Sequence, residues 1–546
     1  MPSTKVHMAL RGVSLKEGLS RVGRTNDMLP PREDDKVAGR IAARFVAALE
    51  QSIQDHEYEP SRASFVYVPK TRFATRPAAL LTLADRVVYE ALVEPMRAKI
   101  ERFLVSDSTV LWPRGVTTEK RWNGFEVAPL EAGGGYVVIA DVAGFYESID
   151  HQRLRQTLVK SGVVSTDAEA LEELLHGVMG TGRGIPQGIA TSDALATLYL
   201  ATADAAVRRT VTGYWRHGDD LRMTAANFSE ARRAVTILEA ALRESGLLMN
   251  AAKLRVLAFS TYAANQADTE RTRDEFGKRL LAARREAIKN SEEPEVLEDL
   301  MKEAGLDEDM QWGFWYHGFI EIDVVLDALK DHIAPSVLEV QREMFRDAMQ
   351  HRPGSPGGLS QELWHARLVY CLRRFAGAKS DAALPHAGEL LVRNPEETQS
   401  VASYLLSLVD THPEAVARSV DHALENAQFL LGWQRGWLYR VLSRVSAHVQ
   451  PSILDEAERV MQSQDEDWLA RIEAARLLAT AGRFNGAYAN SLLTNAPEAY
   501  HSDVIAIAAG LESTESWPKG FLDGVRQDPL GAVVVDGVRD KQRTPR

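Results

Sequence analysis

The stretch "GYVVIADVAGFYESIDH" (Gly135–His151) decides the fold class. It begins as a β-branched apolar run closed by Asp141, and a polar helical segment follows at once. One carboxylate therefore stands at a strand's tip, either as the N-cap of the next helix or as a ligand. "SFVYVP" (Ser64–Pro69) and "RVLAF" (Arg255–Phe259) read as further strands. Helical periodicity marks "DDKVAGRIAARFVAALEQSI" (34–53) and "SEARRAVTILEAALRESG" (229–246), the latter with Ser229 as N-cap and Gly246 where a C-cap belongs. Strands and helices in this alternation predict an α/β or α+β domain.

Further along, "YWRHGDDLRMTA" (Tyr214–Ala225) sets an aspartate pair, Asp219 and Asp220, between two short strand-like runs, where a hairpin turn falls. Two adjacent carboxylates repel each other, which an open turn tolerates. If the pair instead points at Asp141 on a neighbouring strand, bound cations are needed to keep all three ionised. Magnesium suits such a site, because it takes a few carboxylates together with substrate phosphates. Between these segments lies "GRGIPQGIATSDALATLYLATADAAV" (182–207), a Gly-rich loop leading into a helix. Its Gly184 and Gly188 permit close backbone approach, and Gln187 offers a donor and an acceptor to a nucleotide or a template base edge.

Composition narrows the class. The chain has 546 residues, 45% apolar and 26% charged, so two or three soluble globular domains are expected. The single cysteine, Cys371, lies within an apolar helical pattern and reads as a buried, inert thiol. The N-terminus shows no apolar signal core and no uncharged apolar run reaches membrane-spanning length, which points to a cytoplasmic protein without a membrane partner. The net charge of −12 is unevenly placed, since residues 1–275 carry 35 basic and 35 acidic side chains. A neutral first part can hold a basic groove, whereas the acidic remainder is poorly suited to wrapping a phosphate backbone.

Beyond about Thr272 the strand signal nearly vanishes. "HRPGSPGG" (351–358) reads as a linker. Helical segments near Leu368–Gly377, Val401–Val409, Gly436–Val449 and Ala470–Gly482 recur with short polar breaks, as in a helical-hairpin solenoid.

In order, the segments of the first part resemble the palm motifs of reverse transcriptases, from about Ser64 to Ser260. "ADVAGFYESIDH" resembles the family's first catalytic motif, "GIPQGIATSDAL" the next, "RHGDDLRM" the catalytic hairpin, and "GLLMNAAKL" (246–254) the motif after it. The resemblance implies that Asp141, Asp219 and Asp220 are the catalytic residues and hold two Mg²⁺ or Mn²⁺ ions. It also implies that Tyr146 crowds a ribose 2′-hydroxyl, that Gln187, Gly188 and Lys253 bind substrate, and that Lys70 and Arg76 in "VPKTRFATRPAALL" meet the incoming triphosphate. Two positions depart from the pattern: His217 stands where an aromatic is usual, and Asp193 where a proline commonly follows Ser192.

Joined to an all-α second part, this palm resembles the abortive-infection and other defence-associated bacterial reverse transcriptases. That implies an α+β palm-and-fingers domain followed by HEAT-like helical repeats. The expected boundaries are 1–130 for N-terminal helices and fingers, 131–270 for the palm, 271–358 for a helical connector, 359–525 for the repeats and 526–546 for a tail. The implied activity is RNA-directed or protein-primed, untemplated DNA synthesis in antiphage defence. The implied partners are dNTPs, RNA or single-stranded DNA, and further copies of the chain as a homo-oligomer. The DNA product of such enzymes can be attached to a tyrosine, for which Tyr404, Tyr439, Tyr488 and Tyr500 are candidates, although ordinary packing accounts for each. The alternatives are a mobile-element reverse transcriptase and a catalytically idle palm that serves as a nucleic-acid sensor or scaffold.

Overall fold

The computed structural model describes residues 4–10, 12–22, 28–105, 118–267, 277–279, 334–427 and 429–509, together with 282 and 533. Contacts divide the chain into two units, one of residues 1–266 and 428–546, the other of residues 267–427. No helix among the described residues is long and apolar enough to cross a membrane.

The first unit is organised around strand β3 (Tyr136–Ala143), which pairs antiparallel on both edges. On one edge lies β5 (Asp220–Ala225), continued by β4 (Gly213–His217); on the other lie β7 (Arg255–Ala258) and the two-residue β6 (Leu248–Met249). Side chains alternate faces along a strand, and directly paired residues share a face. Val138, Ala140 and Val142 of β3 therefore point the same way as Leu221 and Met223 of β5, and all five enter the buried apolar core. The helix Phe228–Glu244 packs against β3, β5 and β6. Asp141 and Asp220, paired with each other, point to the opposite face together with Ile139 and Arg222. Helix Thr118–Ala132 covers part of that face, with Arg222 4.7 Å from the centroid of the buried Phe125 ring.

A separate hairpin, β1 (Ser64–Pro69) and β2 (Thr75–Leu80), is closed by Lys70 N–H donating to the Ala74 carbonyl at 2.8 Å. The long helix Leu83–Val105 runs from it into the core, burying Val87, Val88, Tyr89, Leu92 and Val93.

Helices Gly432–Leu442, Pro451–Gln462, Trp468–Thr480, Gly486–Asn495 and His501–Ala509 belong to this same unit, whereas the sequence grouped them with 359–427 in one repeat domain. Their partners explain the difference. The Trp433 indole donates to the Met28 carbonyl, Arg32 pairs with Asp503 at 3.5 Å, and Ser61 bonds Glu498.

The second unit contains helices Ala334–Gln350, Gln361–Gly377, Leu384–Arg393, Thr398–Ser407 and Pro413–Asn426. Cys371 is buried here and its thiol is pushed up to about 12 by burial, as expected of an inert core thiol. The "HRPGSPGG" segment is a tight connection between two packed helices and not a linker. Leu359 N–H donates to the His351 carbonyl at 3.0 Å, Arg352 pairs with Glu389 at 3.0 Å, and the Trp364 indole reaches back to the Ala348 carbonyl at 2.9 Å.

Two further expectations change. Asn227, not Ser229, caps the helix that follows β5: its side chain accepts from Glu230 N–H at 3.0 Å while Glu230 accepts from Ala226 N–H at 3.1 Å. The C-cap is Ser245, one residue before Gly246. Tyr404, Tyr439 and Tyr500 are fully buried, so their phenols are packed in the fold and closed to an incoming phosphate; Tyr488 alone of the four is half-exposed.

Candidate active site

The β4–β5 hairpin turns through Gly218 and Asp219, and Gly218 adopts φ +62°, a conformation that costs a residue with a Cβ. The turn delivers Asp219 beside Asp220, whose pairing with Asp141 in the neighbouring strand brings the third carboxylate in. One oxygen from each of Asp141, Asp219 and Asp220 lies within 4.8 Å of the others. Asp141 is buried and the other two are half-buried.

Electrostatics follow from that crowding. The Asp219 carboxyl is raised by burial and then by Asp141, with Lys70 and Lys253 opposing. Burial and the Asp219 charge raise Asp220 to about 6. Such shifts mark carboxylates short of positive charge, and an all-oxygen donor set of this kind fits hard divalent cations. Among the described residues, Lys253 brings a cation into contact with the cluster, its Nζ 3.1 Å from Asp141 Oδ1. Burial works against the Lys253 charge, but the hydrogen bond to Asp141 and the three aspartate charges hold its pKa above the usual lysine value.

Two residues that sequence reasoning missed hold this arrangement. Asn250 follows β6, whose pairing with Val142 and Ala143 places it against Asp141; its Nδ2 donates to Asp141 Oδ2 at 2.8 Å and its backbone N–H to the Asp141 carbonyl at 2.8 Å. A signal for it was present, three residues before Lys253 in the quoted "GLLMNAAKL". Arg216, on β4, points to the core face. Its guanidinium donates to Asp204 at 2.7 and 2.9 Å, to the Thr197 carbonyl at 3.0 Å, and to the Gly218 carbonyl in the turn at 3.0 Å. No local pattern announces an arginine buried beneath a strand.

Tyr146 lies on the short helix Phe145–Ser148, and its hydroxyl donates to Asp193 Oδ1 at 2.6 Å. The helix that carries Asp193, Ala190–Tyr199, is pinned at its start by Tyr89 against Ser192 at 2.9 Å and by Thr191 donating to Glu90 at 2.5 Å. Gln187 and Gly188 are half-buried in the loop before it, with Gly188 at φ +92°. On the β1–β2 hairpin, Lys70 is exposed with its charge reaching Asp219, and Arg76 is half-buried. The buried Arg76 Nε has no hydrogen-bond partner among the described residues. His217 sits on the aspartate face, with its ring edge-on to Trp122 at 5.3 Å and 6.0 Å from Phe125, so an aromatic cluster surrounds the position where an aromatic was expected.

No curated protein matches the chain. Residues 68–289, which include every one of these site residues, match the family model described as reverse transcriptase (RNA-dependent DNA polymerase), so this segment is similar to the polymerase domain of that family.

Proposed function

We propose that the chain is an RNA-directed DNA polymerase that extends a primer 3′-hydroxyl with dNTPs. The observation that carries this reading is the meeting of Asp141, Asp219 and Asp220 within 4.8 Å inside the segment that matches reverse transcriptases. Two divalent cations held by these carboxylates would, when bound, lower the pKa of the attacking hydroxyl and steady the departing pyrophosphate. The chain's own residues do the positioning. Asn250 and Lys253 fix both oxygens of Asp141, and Arg216 ties the turn carrying Asp219 to the core. Lys70 and Arg76 neutralise triphosphate charge, Arg76 with a free Nε donor for an anionic oxygen. Lys253 places a positive charge beside Asp141. Gln187 and Gly188 shape the floor beneath the templating pair, and the Tyr146 ring lies against the sugar and excludes a 2′-hydroxyl.

Templated synthesis is favoured over tyrosine-primed synthesis, since three of the four candidate phenols are buried. For the biological setting we propose antiphage defence, supported by the joining of this site to extensive helical segments beyond residue 334.

The deciding assay follows labelled dNTP incorporation with Mg²⁺ or Mn²⁺, with and without an RNA template and DNA primer, by the wild type and Asp219→Ala. The expected result is template-dependent DNA synthesis lost in the variant. Equal signal from both proteins ends the polymerase reading, and label retained on denatured protein without template restores the tyrosine-primed one.

A further inference from the structure

We propose that Asp193 is a specificity-determining residue: its carboxylate anchors the Tyr146 hydroxyl, and discrimination against ribonucleotides depends on that anchor and not on ring bulk alone. The inference rests on the polymerase reading above and extends it to a residue that departs from the family pattern.

The geometry makes Tyr146 a tethered ring. Its helix spans only Phe145–Ser148, too short to hold a side chain rigidly by itself. Its backbone carbonyl accepts from Ile185 N–H at 3.0 Å, the Phe145 ring abuts it edge-on at 5.7 Å, and the hydroxyl donates to Asp193 Oδ1 at 2.6 Å. Both ends of the residue are thereby fixed. A phenol donating to a carboxylate forms a charge-assisted bond, stronger than one between neutral groups. Asp193 lies in the first turn of the helix Ala190–Tyr199, where the helix dipole favours negative charge. The Tyr146 hydroxyl is held protonated by burial and by the neighbouring Asp193 and Asp219 charges, so it serves as the donor.

The pair is also reachable. Asp193 is exposed and Tyr146 half-buried, and the hydroxyl lies within electrostatic range of Asp219, so it borders the space where a nucleotide sugar must sit. A bound nucleotide would exclude water from the pair and strengthen the bond. With its proton committed to Asp193, the phenol cannot donate to a ribose 2′-oxygen, and the tether prevents the ring from swinging aside to admit one. A ribonucleotide thus meets a ring edge that the tether holds in place.

The test compares kcat/KM for dGTP and GTP opposite a templating cytosine, for the wild type, Tyr146→Phe, Asp193→Ala, Asp193→Asn, the Tyr146→Phe/Asp193→Ala pair and Tyr146→Ala, each checked by thermal melting. The expected result is that Tyr146→Phe and Asp193→Ala each lower the dGTP/GTP ratio about tenfold, as loss of one hydrogen bond to a charged group does. The double variant should lose no more than either single, and Asp193→Asn, whose amide oxygen still accepts, should recover part of the ratio. Retention of the wild-type ratio within twofold by both Tyr146→Phe and Asp193→Ala overturns the anchor. A wild type that incorporates neither nucleotide, or a Tyr146→Ala variant that gains no use of GTP, fails the underlying polymerase or sugar-gate reading instead.

Discussion

Replacing Asp204 by alanine tests how the turn that carries Asp219 is held from below. Asp204 lies in the helix Ala201–Arg208 and its carboxylate takes the Arg216 guanidinium at 2.7, 2.9 and 3.2 Å, while the two side chains are 1% and 0% exposed. Arg216 also donates to Thr197, whose carbonyl lies near the C-terminal end of the preceding helix, where carbonyls lack helical donors and a cation is favoured. Alanine at 204 leaves a buried, uncompensated guanidinium, which costs about 3–5 kcal/mol. The Tyr214 hydroxyl loses its acceptor at the same time, which moves the total toward the upper end. About 4 kcal/mol corresponds to roughly a thousandfold loss of amide protection where opening is local. Hydrogen exchange read by mass spectrometry over residues 213–225 should show that loss, accompanied by weaker nucleotide incorporation because the Gly218 carbonyl loses its rigid partner. The paired variant Asp204→Leu/Arg216→Met removes both charges and should recover most of the protection. Protection in Asp204→Ala within a fewfold of wild type would refute the reasoning, as would a paired variant no better than the single one.

Asn250→Ala should lower dNTP incorporation about 10- to 100-fold without loss of folding, because Asp141 then keeps only one of its two side-chain contacts; steady-state kinetics beside a melting curve decide this, and a change under threefold removes Asn250 from the site. Arg76→Lys preserves charge but not the planar fork, so KM for dNTPs should rise about tenfold with a smaller change in kcat; an unaltered KM would place the triphosphate elsewhere. Asp85 provides a pH signature: buried against Tyr58, Ser61 and Thr82, it is raised by burial to about 6. A carboxyl raised on folding contributes stability at low pH that is lost as pH rises through the folded pKa, so between pH 5 and 7.5 this group should withdraw about 1.4 kcal/mol that Asp85→Asn does not withdraw. Urea unfolding of both proteins at the two pH values measures it, and a wild-type-minus-variant difference that stays flat sinks the assignment.

How much of this could be read from the sequence depended on how far apart the deciding partners lie. The strand ending in Asp141, the Asp219–Asp220 turn and the Gly-rich entry to the helix at Ala190 are each written in a few consecutive residues, where period and turn chemistry act directly. Their convergence required the register Asp141↔Asp220, which the order of the motifs suggested through a family resemblance and which no local pattern contains. Asn250 depended on a two-residue strand, too short to show an alternation. Arg216 was hidden for a different reason: an arginine in "YWRHGDD" reads as a surface charge until Asp204 and two carbonyls are seen to satisfy it. The "HRPGSPGG" segment has the same composition whether it separates domains or turns tightly between packed helices, and only the Trp364 and Arg352 contacts across it decide. The helices beyond residue 428 make the point most sharply. Amphipathic spacing tells that a helix buries one face and is silent about what it buries that face against. The choice was made by groups more than 400 positions apart, Trp433 capping the Met28 carbonyl and Arg32 seeking Asp503, so those helices fold with the strands that carry the aspartates.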